Sequence, residues 1–545
     1  MSRSLFRRLH QLLGPRLSGL ERTRRAQAHR DRLGQFLPMN VMTNPVPLSL
    51  DKPLRVAVIG GGFAGLAAAT VLKNLQFSVT LFEARDNMGG RVESTSTFVQ
   101  NRILERGAEL VGSNHTLWTF AAQHLGLGLS VITEEDEYIG ERLREPIRIS
   151  GHRLTPPEAK NLYDLMKRAV GELTRQAGVV TDPYNPWMTP DAAKLDKTTL
   201  ESWIHGFTSD PLLRSVLEFE FSNNNAVATR AQSLLAVLTQ IAGGGGNDYW
   251  EDTEVYRCEN GNAALATGLA QRLTNGTPLA TIHQPEIVTN INVDERKVSV
   301  VSKSGNSSRP PLTTVCDFVV IAIPPTVWSS ITFGGVTFPI GPIQTGPAVK
   351  YLAETRNRYW LRQGDAPSGV DNDMGMLWEG TDNQMGASGI DLTVFAGGPS
   401  AAAIGKTPPD DYFRPRIEAL LPGFKGSGGF VRSQFANWPN ENFIRTGYSC
   451  PAPGQVMTLL VWMQQAIAGR IFLAGEHVSP PFFGYMEGAL QSGLAAACRI
   501  AIAAHISIPA SLGTLAKPGV QLRIPSPLLP TPPARSPAPP PVPVR

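Results

Sequence analysis

The sequence predicts an α/β fold in which one parallel-sheet domain, discontinuous along the chain, is interrupted by an inserted α+β domain and a helical part. Three observations predict this fold. A β-branched strand leads into a glycine turn and an alanine-rich helix near residue 60, similar apolar strands recur near residues 316 and 470, and the stretches between them are helical or alternating in pattern. The 545 residues exceed what one hydrophobic core supports, so at least two domains are expected.

The charge pattern argues against a nucleic-acid enzyme. The formal net charge is +4, but nine arginines lie within the first 40 residues, so the rest of the chain is close to neutral. A basic N-terminal arm, residues 1–50, explains this excess better than a basic binding face does. We therefore expect small-molecule partners and no nucleic acid.

Cysteine usage and hydropathy narrow the class of protein further. The four cysteines are widely separated and form no CxxC pair, which argues against a disulfide framework and against a metal site. No run approaches 18 apolar residues, so no transmembrane span is expected. The N-terminal arm lacks the apolar core of a signal peptide, which favours a cytoplasmic protein, although so few cysteines also suit an exported one.

Both ends of the chain are expected to lie outside the folded body. The N-terminal arm is interpreted as an amphipathic or disordered leader, with a weak membrane-surface anchor as the alternative. Residues 509–545 are rich in proline and predict a disordered tail of polyproline II character, with docking to an SH3-like partner as the alternative. Removing residues 1–45 and 515–545 is expected to leave a folded, active protein.

A dinucleotide-binding motif follows the first strand. Arg55–Ile59 is an apolar run typical of a buried parallel strand, and it leads directly into a G-x-G-x-x-G turn and a helix. Such glycines allow a pyrophosphate to approach the helix N-terminus closely. A second strand, Ser78–Phe82, ends in an acid near the spacing that receives ribose hydroxyls. The motif predicts a Rossmann-type domain whose contacts come from Gly60, Gly62, Phe63, Ala64, Gly65 and Glu83.

The residues after Glu83 distinguish between cofactors. An acid, a short spacer and then Gly-Gly-Arg follow the second strand, and an NAD enzyme has no need of this segment. It resembles the flavin-containing amine oxidase superfamily, which includes monoamine oxidases and L-amino acid oxidases. The resemblance implies FAD, and an arginine presents a planar donor fork that suits its phosphates. The implied contacts in this segment are Ala84, Arg85, Gly89, Gly90 and Arg91.

The resemblance extends towards the C-terminus. Residues 470–474 predict a strand that ends in Gly-Glu, and a later Gly-Tyr-Met-Glu-Gly-Ala run opens a helix whose N-terminus points, in the family, at the flavin. Gly447 stands where mitochondrial-type monoamine oxidases carry the cysteine that bonds to FAD, so the resemblance implies a non-covalent cofactor. The further implied FAD contacts are Gly107, Ala108, Glu109, Val288, Gly475, Glu476, Gly484, Tyr485 and Met486.

Three residues are expected to form the reacting site. Lys350 resembles the family lysine that holds a water near flavin N5. Tyr448 and Tyr485 resemble the two walls of an aromatic cage. Two aromatic faces around a neutral amine exclude water and orient its C–H bond.

These resemblances imply an oxidase acting on CH–NH2 or CH–NH donors. Hydride passes from the carbon next to nitrogen to flavin N5, the imine hydrolyses, and O2 is reduced to hydrogen peroxide. We lean towards an L-amino acid oxidase, because the segments around Arg257 and Trp378 resemble bacterial enzymes of that group. No arginine follows the Gly-Ala segment, however, and Glu109 there would repel a carboxylate and favour a cation. A polyamine or monoamine oxidase is the alternative, followed by a desaturase or a flavin-binding scaffold without turnover.

The domain assignment follows from the motifs. The FAD-binding domain is predicted to comprise residues 51–115, 255–344 and 465–508. Residues 116–254 and 345–464 are predicted to form the substrate-binding and helical domain. The sequence leaves the oligomeric state open, with a homodimer as one outcome.

Overall fold

The computed structural model describes residues 4–14, 53–131, 143–276, 278–337, 343–384, 389–426 and 429–506. The proline-rich tail predicted for residues 509–545 lies outside these ranges, as do residues 15–50 of the N-terminal arm. None of the helices within the described ranges combines the length and apolar character needed to cross a membrane.

The strands fall into two main sheets and several small ones. In chain order they are β1 (Arg55–Ile59), β2 (Ser78–Phe82), β3 (Ser94–Thr95), β4 (Leu104–Glu105), β5 (Leu129–Val131), β6 (Ile147–Ile149), β7 (His152–Arg153), β8 (Tyr256–Cys258), β9 (Ala280–His283), β10 (Glu286–Val293), β11 (Val298–Ser304), β12 (Leu312–Cys316), β13 (Phe318–Ile321), β14 (Thr332–Gly334), β15 (Thr345–Gly346), β16 (Ala348–Thr355), β17 (Ser368–Asp371), β18 (Gly375–Glu379), β19 (Ile390–Gly397), β20 (Phe430–Asn437), β21 (Tyr448–Ser449) and β22 (Ile471–Leu473).

The first main sheet is the parallel sheet that the sequence predicts. Its order is β22-β13-β1-β2-β9, and every neighbouring pair runs parallel. Strands β1, β13 and β22 are apolar and almost wholly buried, as expected for strands covered on both faces. Two helices, Phe63–Asn74 and Met486–Ala503, pack closely against each other beside this sheet. The predicted α/β fold is therefore confirmed.

The second main sheet carries the opposite side of the site. It has seven strands in the order β20-β16-β19-β18-β17-β6-β7, and β16 pairs antiparallel with both of its neighbours. Strands β6 and β7 come from a stretch whose sequence indicates mainly helix, because strands of two or three residues are too short to show alternation. A four-stranded sheet, β12-β11-β10-β14, completes the larger β elements.

Most of the remaining helices lie between residues 116 and 274. The long helix Pro156–Ala177 begins with a capping box at Thr155, in which Glu158 accepts a hydrogen bond from the Thr155 N–H. Within the described ranges, the α-helices are Leu5–Leu13, Phe63–Asn74, Thr116–His124, Pro156–Ala177, Ala192–Lys197, Leu200–Phe207, Pro211–Asn224, Leu234–Gly243, Asn247–Asp252, Ala263–Thr274, Pro399–Ala402, Pro409–Leu420, Val461–Met463 and Met486–Ala503.

The N-terminal helix, Leu5–Leu13, corrects the prediction that the whole N-terminal arm lies outside the body. Its apolar residues Leu5, Phe6 and Leu9 are at most 5% exposed and belong to the main hydrophobic core. The helix packs on Pro156–Ala177, and a membrane-anchor role is wrong for these residues because their apolar face is covered by protein. Its apolar positions follow a helical period. This period is typical of a helix that packs one face on a protein core, which the interpretation as a dispensable leader did not take into account.

Candidate active site

One cavity lies between the ends of the parallel sheet and strand β16. It brings together both glycine-rich segments, the Gly-Glu segment after β22 and all three residues predicted to react. Of the predicted residues, it is lined by Gly60, Gly62, Phe63, Ala64, Glu83, Ala84, Arg85, Gly89, Gly90, Arg91, Gly107, Ala108, Val288, Lys350, Tyr448, Gly475, Glu476, Gly484, Tyr485 and Met486.

The first glycine turn has the geometry that its motif predicts. Gly60 has a φ of +109°, which disfavours a side chain. A Cβ on Gly65 would lie 1.9 Å from the Gly60 carbonyl oxygen, so Gly65 packs the helix onto the turn and does not line the cavity. A Cβ on Gly62 would meet nothing nearer than 3.9 Å. The first turn of the helix Phe63–Asn74 therefore stays accessible to an anion, with no side chain capping it.

Glu83 is fixed at the end of β2 by backbone donors. Its Oε2 accepts a hydrogen bond from the Gly61 N–H at 2.6 Å, and its Oε1 accepts one from the Arg85 N–H at 2.8 Å. Burial raises the pKa of this carboxyl against the effect of those donors. Arg85 itself donates to the Gly90 carbonyl at 2.7 Å, which ties the acid to the second glycine pair.

An ion pair joins the N-terminal and C-terminal motifs. Arg91 Nη1 donates to Glu476 Oε1 at 2.7 Å and to the Gly447 carbonyl at 2.9 Å. Glu476 also accepts from the Gly484 N–H at 2.7 Å. Burial opposes ionisation of Glu476, but Arg91 and the other neighbouring groups, including the Ser449 hydrogen bond, together lower the carboxyl pKa. The two segments that resemble the family are thus held around one space.

The residues around this space fit FAD. His477 is fully buried and lines the cavity, yet neither of its ring nitrogens has a hydrogen-bond partner among the described residues. A buried polar group without a partner is costly, so a ligand that offers one is favoured there. The open helix N-terminus at Gly62, with the Arg85 and Arg91 side chains, would bind the phosphates of FAD. His477 would provide a further polar contact elsewhere in the same cavity.

Lys350 is anchored by a buried acid. It lies on β16 and is 3% exposed, and its Nζ donates to Glu109 Oε2 at 2.6 Å and to the Glu105 carbonyl at 3.0 Å. The other Glu109 oxygen accepts from Arg257 Nε at 2.9 Å and from Trp378 Nε1 at 3.0 Å. Burial works against ionisation of Glu109, but Lys350 and Arg257 prevail and lower its pKa to about 2.

This network corrects two expectations about Glu109. The residue lies outside the cavity lining, so its carboxylate makes no direct contact with the space that the cofactor would fill. Both of its oxygens are already occupied by Lys350, Arg257 and Trp378, so it does not present a free charge to a substrate cation. Its role in the structure is to hold Lys350.

The two predicted cage tyrosines both line the cavity. The Tyr448 hydroxyl donates to the Asn224 carbonyl at 2.7 Å, and the Tyr485 hydroxyl lies 3.5 Å from that of Tyr249. Gly484, at φ +78°, lies against the Tyr448 ring, where an added Cβ would be 3.0 Å from Cδ2. The Tyr448 ring is therefore fixed by its hydroxyl end and by close backbone packing.

The position of Gly447 leaves no room for a covalent attachment point. A Cβ there would lie 2.5 Å from the Ala348 side chain and 2.7 Å from the Gly346 carbonyl. Cys450, three residues later, is fully buried and does not line the cavity. Burial also raises the pKa of its thiol.

Several lining residues escaped sequence reasoning. They include Phe395, Trp438, Phe443 and Ile444, which come from segments without a recognisable motif, and His477. Trp438 donates to the Arg106 carbonyl at 3.0 Å, and the Arg85 guanidinium lies 5.8 Å from the centre of its ring. For His477, the available signal was its place directly after the Gly-Glu pair.

Buried carboxyls make the stability of the fold sensitive to pH. Burial raises the pKa of Glu105, Glu220 and Glu487 to about 7, and that of Asp391 to about 8. These groups bind protons more tightly in the folded state than in the unfolded state. Their contribution to the free energy of unfolding therefore falls as the pH rises through the folded pKa.

We expect the melting temperature of the FAD-loaded protein to fall between about pH 6.5 and pH 8. Each carboxyl contributes roughly 1 kcal/mol to this loss. His115 and His477, whose pKa burial lowers to about 3 and about 4, stay neutral in the folded state. In the unfolded state their pKa is roughly 6.5, so they lose the rest of their charge within this window and offset a smaller part of the fall. Thermal melts against pH test the prediction, and Glu487→Gln should flatten the slope. A melting temperature that rises across the window would contradict it.

The fold and the site define an FAD-dependent oxidoreductase. The chain belongs to the flavin containing amine oxidoreductase family, whose model matches residues 63–501. It is 23% identical to a probable flavin-containing monoamine oxidase A of Dictyostelium discoideum, over 80% of this chain and 95% of that protein. It is 22% identical to an L-amino acid dehydrogenase of Synechocystis sp., over 81% of this chain and 93% of that protein.

Solved structures share the fold. Cyclohexylamine oxidase from Brevibacterium oxydans IH-35A superposes with a TM-score of 0.68 at 22% identity, covering 83% of this chain and all of that chain. Wild-type putrescine oxidase bound to putrescine gives a TM-score of 0.68 at 18% identity, covering 83% of this chain and 99% of that chain. The predicted family and its FAD cofactor are confirmed by the family match, and the structures confirm the fold.

Proposed function

We propose that this enzyme oxidises primary amines with an apolar body, using non-covalent FAD and O2. The main support for this proposal is which arginine side chains line the cavity and what they already bind. Among its described lining residues, the arginines are Arg85 and Arg91, and both are hydrogen-bonded within the cofactor motifs. Within the described lining of this cavity, no other arginine is available to bind a substrate carboxylate.

The surroundings of the tyrosines support an apolar substrate. Ala348, Val349 and Phe395 line the same cavity as Tyr448 and Tyr485. An apolar wall favours burial of alkyl or aryl carbons. Relatives named monoamine oxidases, and the fold shared with cyclohexylamine oxidase, agree with an amine substrate.

An L-amino acid substrate has less support. The sequence segments that favour this substrate class lie around Arg257 and Trp378. In the structure, these two side chains donate hydrogen bonds to Glu109 in the interior. Neither residue lines the cavity. The similarity to an L-amino acid dehydrogenase keeps this substrate class as the second candidate.

The residues divide the work as follows. Bound FAD would supply the redox chemistry, taking up the hydride, and with it both electrons, from the carbon next to nitrogen. Tyr448 and Tyr485 orient the neutral amine and exclude water. Lys350, held by Glu109, presents N–H donors to the cavity and holds a water there. The N-terminus of the helix Met486–Ala503 adds partial positive charge beside the cofactor.

The substrate proposal is tested by peroxide release from the purified enzyme. The panel contains alkyl and aryl monoamines, diamines and L-amino acids at equal concentrations. We expect kcat/KM for the best monoamine to exceed that of the matching L-amino acid, which differs by one carboxylate. A preference for the amino acid would contradict the proposal and favour the second candidate.

Non-covalent attachment makes a separate prediction. Acid precipitation of the yellow protein is expected to release its FAD into the supernatant, because Gly447 offers no sulfur and Cys450 lies outside the cavity lining. The measurement is flavin absorbance in supernatant and pellet. Flavin that stays with the peptide after proteolysis would contradict it.

A further inference from the structure

A second cavity lies next to the cage, on the side to which the tyrosine hydroxyls point. Its lining includes Ser4, Arg7, Asn224, Tyr249 and Tyr485. Asn224 accepts the hydrogen bond of Tyr448, and the Tyr249 hydroxyl is near that of Tyr485. Tyr485 lines both cavities, so the second cavity is the space directly beyond the cage.

The start of the N-terminal helix closes this space. The Ser4 N–H donates to Glu254 Oε2 at 3.0 Å, and its hydroxyl donates to Glu220 Oε1 at 2.6 Å. The Leu5 N–H donates to Glu220 Oε2 at 3.0 Å. Two carboxyl groups thus accept the hydrogen bonds at the positive end of the helix, where the helix dipole favours negative charge.

The Arg7 side chain completes the closure. Arg7 is 9% exposed, lines the second cavity and donates from Nε to the Glu251 carbonyl at 3.2 Å. The adjacent Arg8 faces elsewhere and pairs with Glu145 at 3.5 Å. Because the helix is anchored by Leu5, Phe6 and Leu9 in the core, Ser4 and Arg7 form a built wall.

We propose that residues 4–7 set the length of the amine that this enzyme accepts. A substrate whose reacting carbon lies between Tyr448 and Tyr485 would extend its far end into the second cavity, where Ser4 and Arg7 stop it. The inference rests on the proposed function, because it takes the two tyrosines as the walls of the reacting site. Carbons beyond this limit must be left unburied or must displace the helix.

The test compares the full chain with a deletion of residues 2–14, using n-alkylamines of increasing length. The ratio of kcat/KM for a long amine to that for a short amine is expected to rise about tenfold or more in the deleted enzyme, a typical effect of added room for a methylene. The ratio is taken within each enzyme, so a general loss of activity caused by removing the core residues Leu5, Phe6 and Leu9 does not affect it. An unchanged ratio would overturn the inference, and so would an equal rise for all lengths, which would indicate a general block to entry.

A pair of point variants covers the case in which the deletion does not fold. Arg7→Ala in the full chain enlarges the second cavity and is expected to shift the preference towards longer amines. Arg8→Ala is the matched control, because it removes a neighbouring buried arginine that does not line the cavity. Equal length preferences in the two variants would overturn the inference.

Binding separates this inference from the proposed function. The rise in melting temperature produced by each alkylamine reports the length limit without turnover. If no amine is oxidised but Arg7→Ala still binds longer amines than Arg8→Ala does, the proposed function fails and the length limit stands. If amines are oxidised and the two variants bind the same lengths, the length limit fails alone.

Discussion

Replacement of Lys350 by methionine is expected to slow oxidation of the amine or reaction with oxygen about 100-fold, because loss of one positioned donor at a reacting site commonly costs that much. Lys350 lines the cavity, and its ammonium is fixed by Glu109 and the Glu105 carbonyl. Methionine keeps similar bulk, and Glu109 keeps Arg257 as a partner. FAD content should therefore change little, while the melting temperature should fall because Glu109 Oε2 loses its buried partner.

Stopped-flow measurement of the two half-reactions tests this expectation. Lys73→Met is the matched control, since Lys73 lies on the helix Phe63–Asn74 and donates to the Arg272 carbonyl away from the cavity. Equal rates for Lys350→Met and the unaltered enzyme in both half-reactions would remove Lys350 from the site.

Tyr485→Ala is expected to lower turnover roughly tenfold or more while FAD stays bound, because the ring orients the substrate. Tyr485→Phe should keep most activity, since its hydroxyl makes only a long contact of 3.5 Å with Tyr249. Tyr448 is expected to show the same order of effects. Steady-state kcat together with flavin content measures the difference.

The control for these variants is Tyr249→Phe. It removes the hydroxyl that faces Tyr485 but leaves both cage rings in place. If phenylalanine were as damaging as alanine at positions 448 and 485, the hydroxyls would be needed and the cage interpretation would be wrong. If neither change mattered, the substrate would approach from elsewhere.

The cofactor side of the site was predictable from the sequence because its chemistry fixes local spacing. The turn at Gly60 and the acid at Glu83 must stand at set distances along the chain to meet one dinucleotide. The structure brings both to the same cavity, together with Gly475 and Glu476 from the far end of the chain. Each of these residues follows a strand of the parallel sheet, so strand order brings them together.

The interior support of the site was not predictable in the same way. Glu109 contacts Arg257, which lies 148 positions later in the chain, and Lys350, which lies 241 positions later. No local sequence pattern encodes pairings over such distances. Glu109 directly follows the Gly-Ala segment in the sequence, but the direction in which its carboxylate points is determined by packing. For the N-terminal helix, the apolar period can be recognised in the sequence, but the surface on which the helix packs cannot.

Anaerobic titration of the FAD-loaded enzyme with amines tests the central claim most directly. We expect a primary monoamine to bleach the visible flavin absorbance fully, and admission of oxygen to restore it with one hydrogen peroxide formed per amine oxidised. Flavin that stays oxidised with every amine of the panel, while a chemical reductant bleaches it, would contradict the assignment of this chain as an amine oxidase.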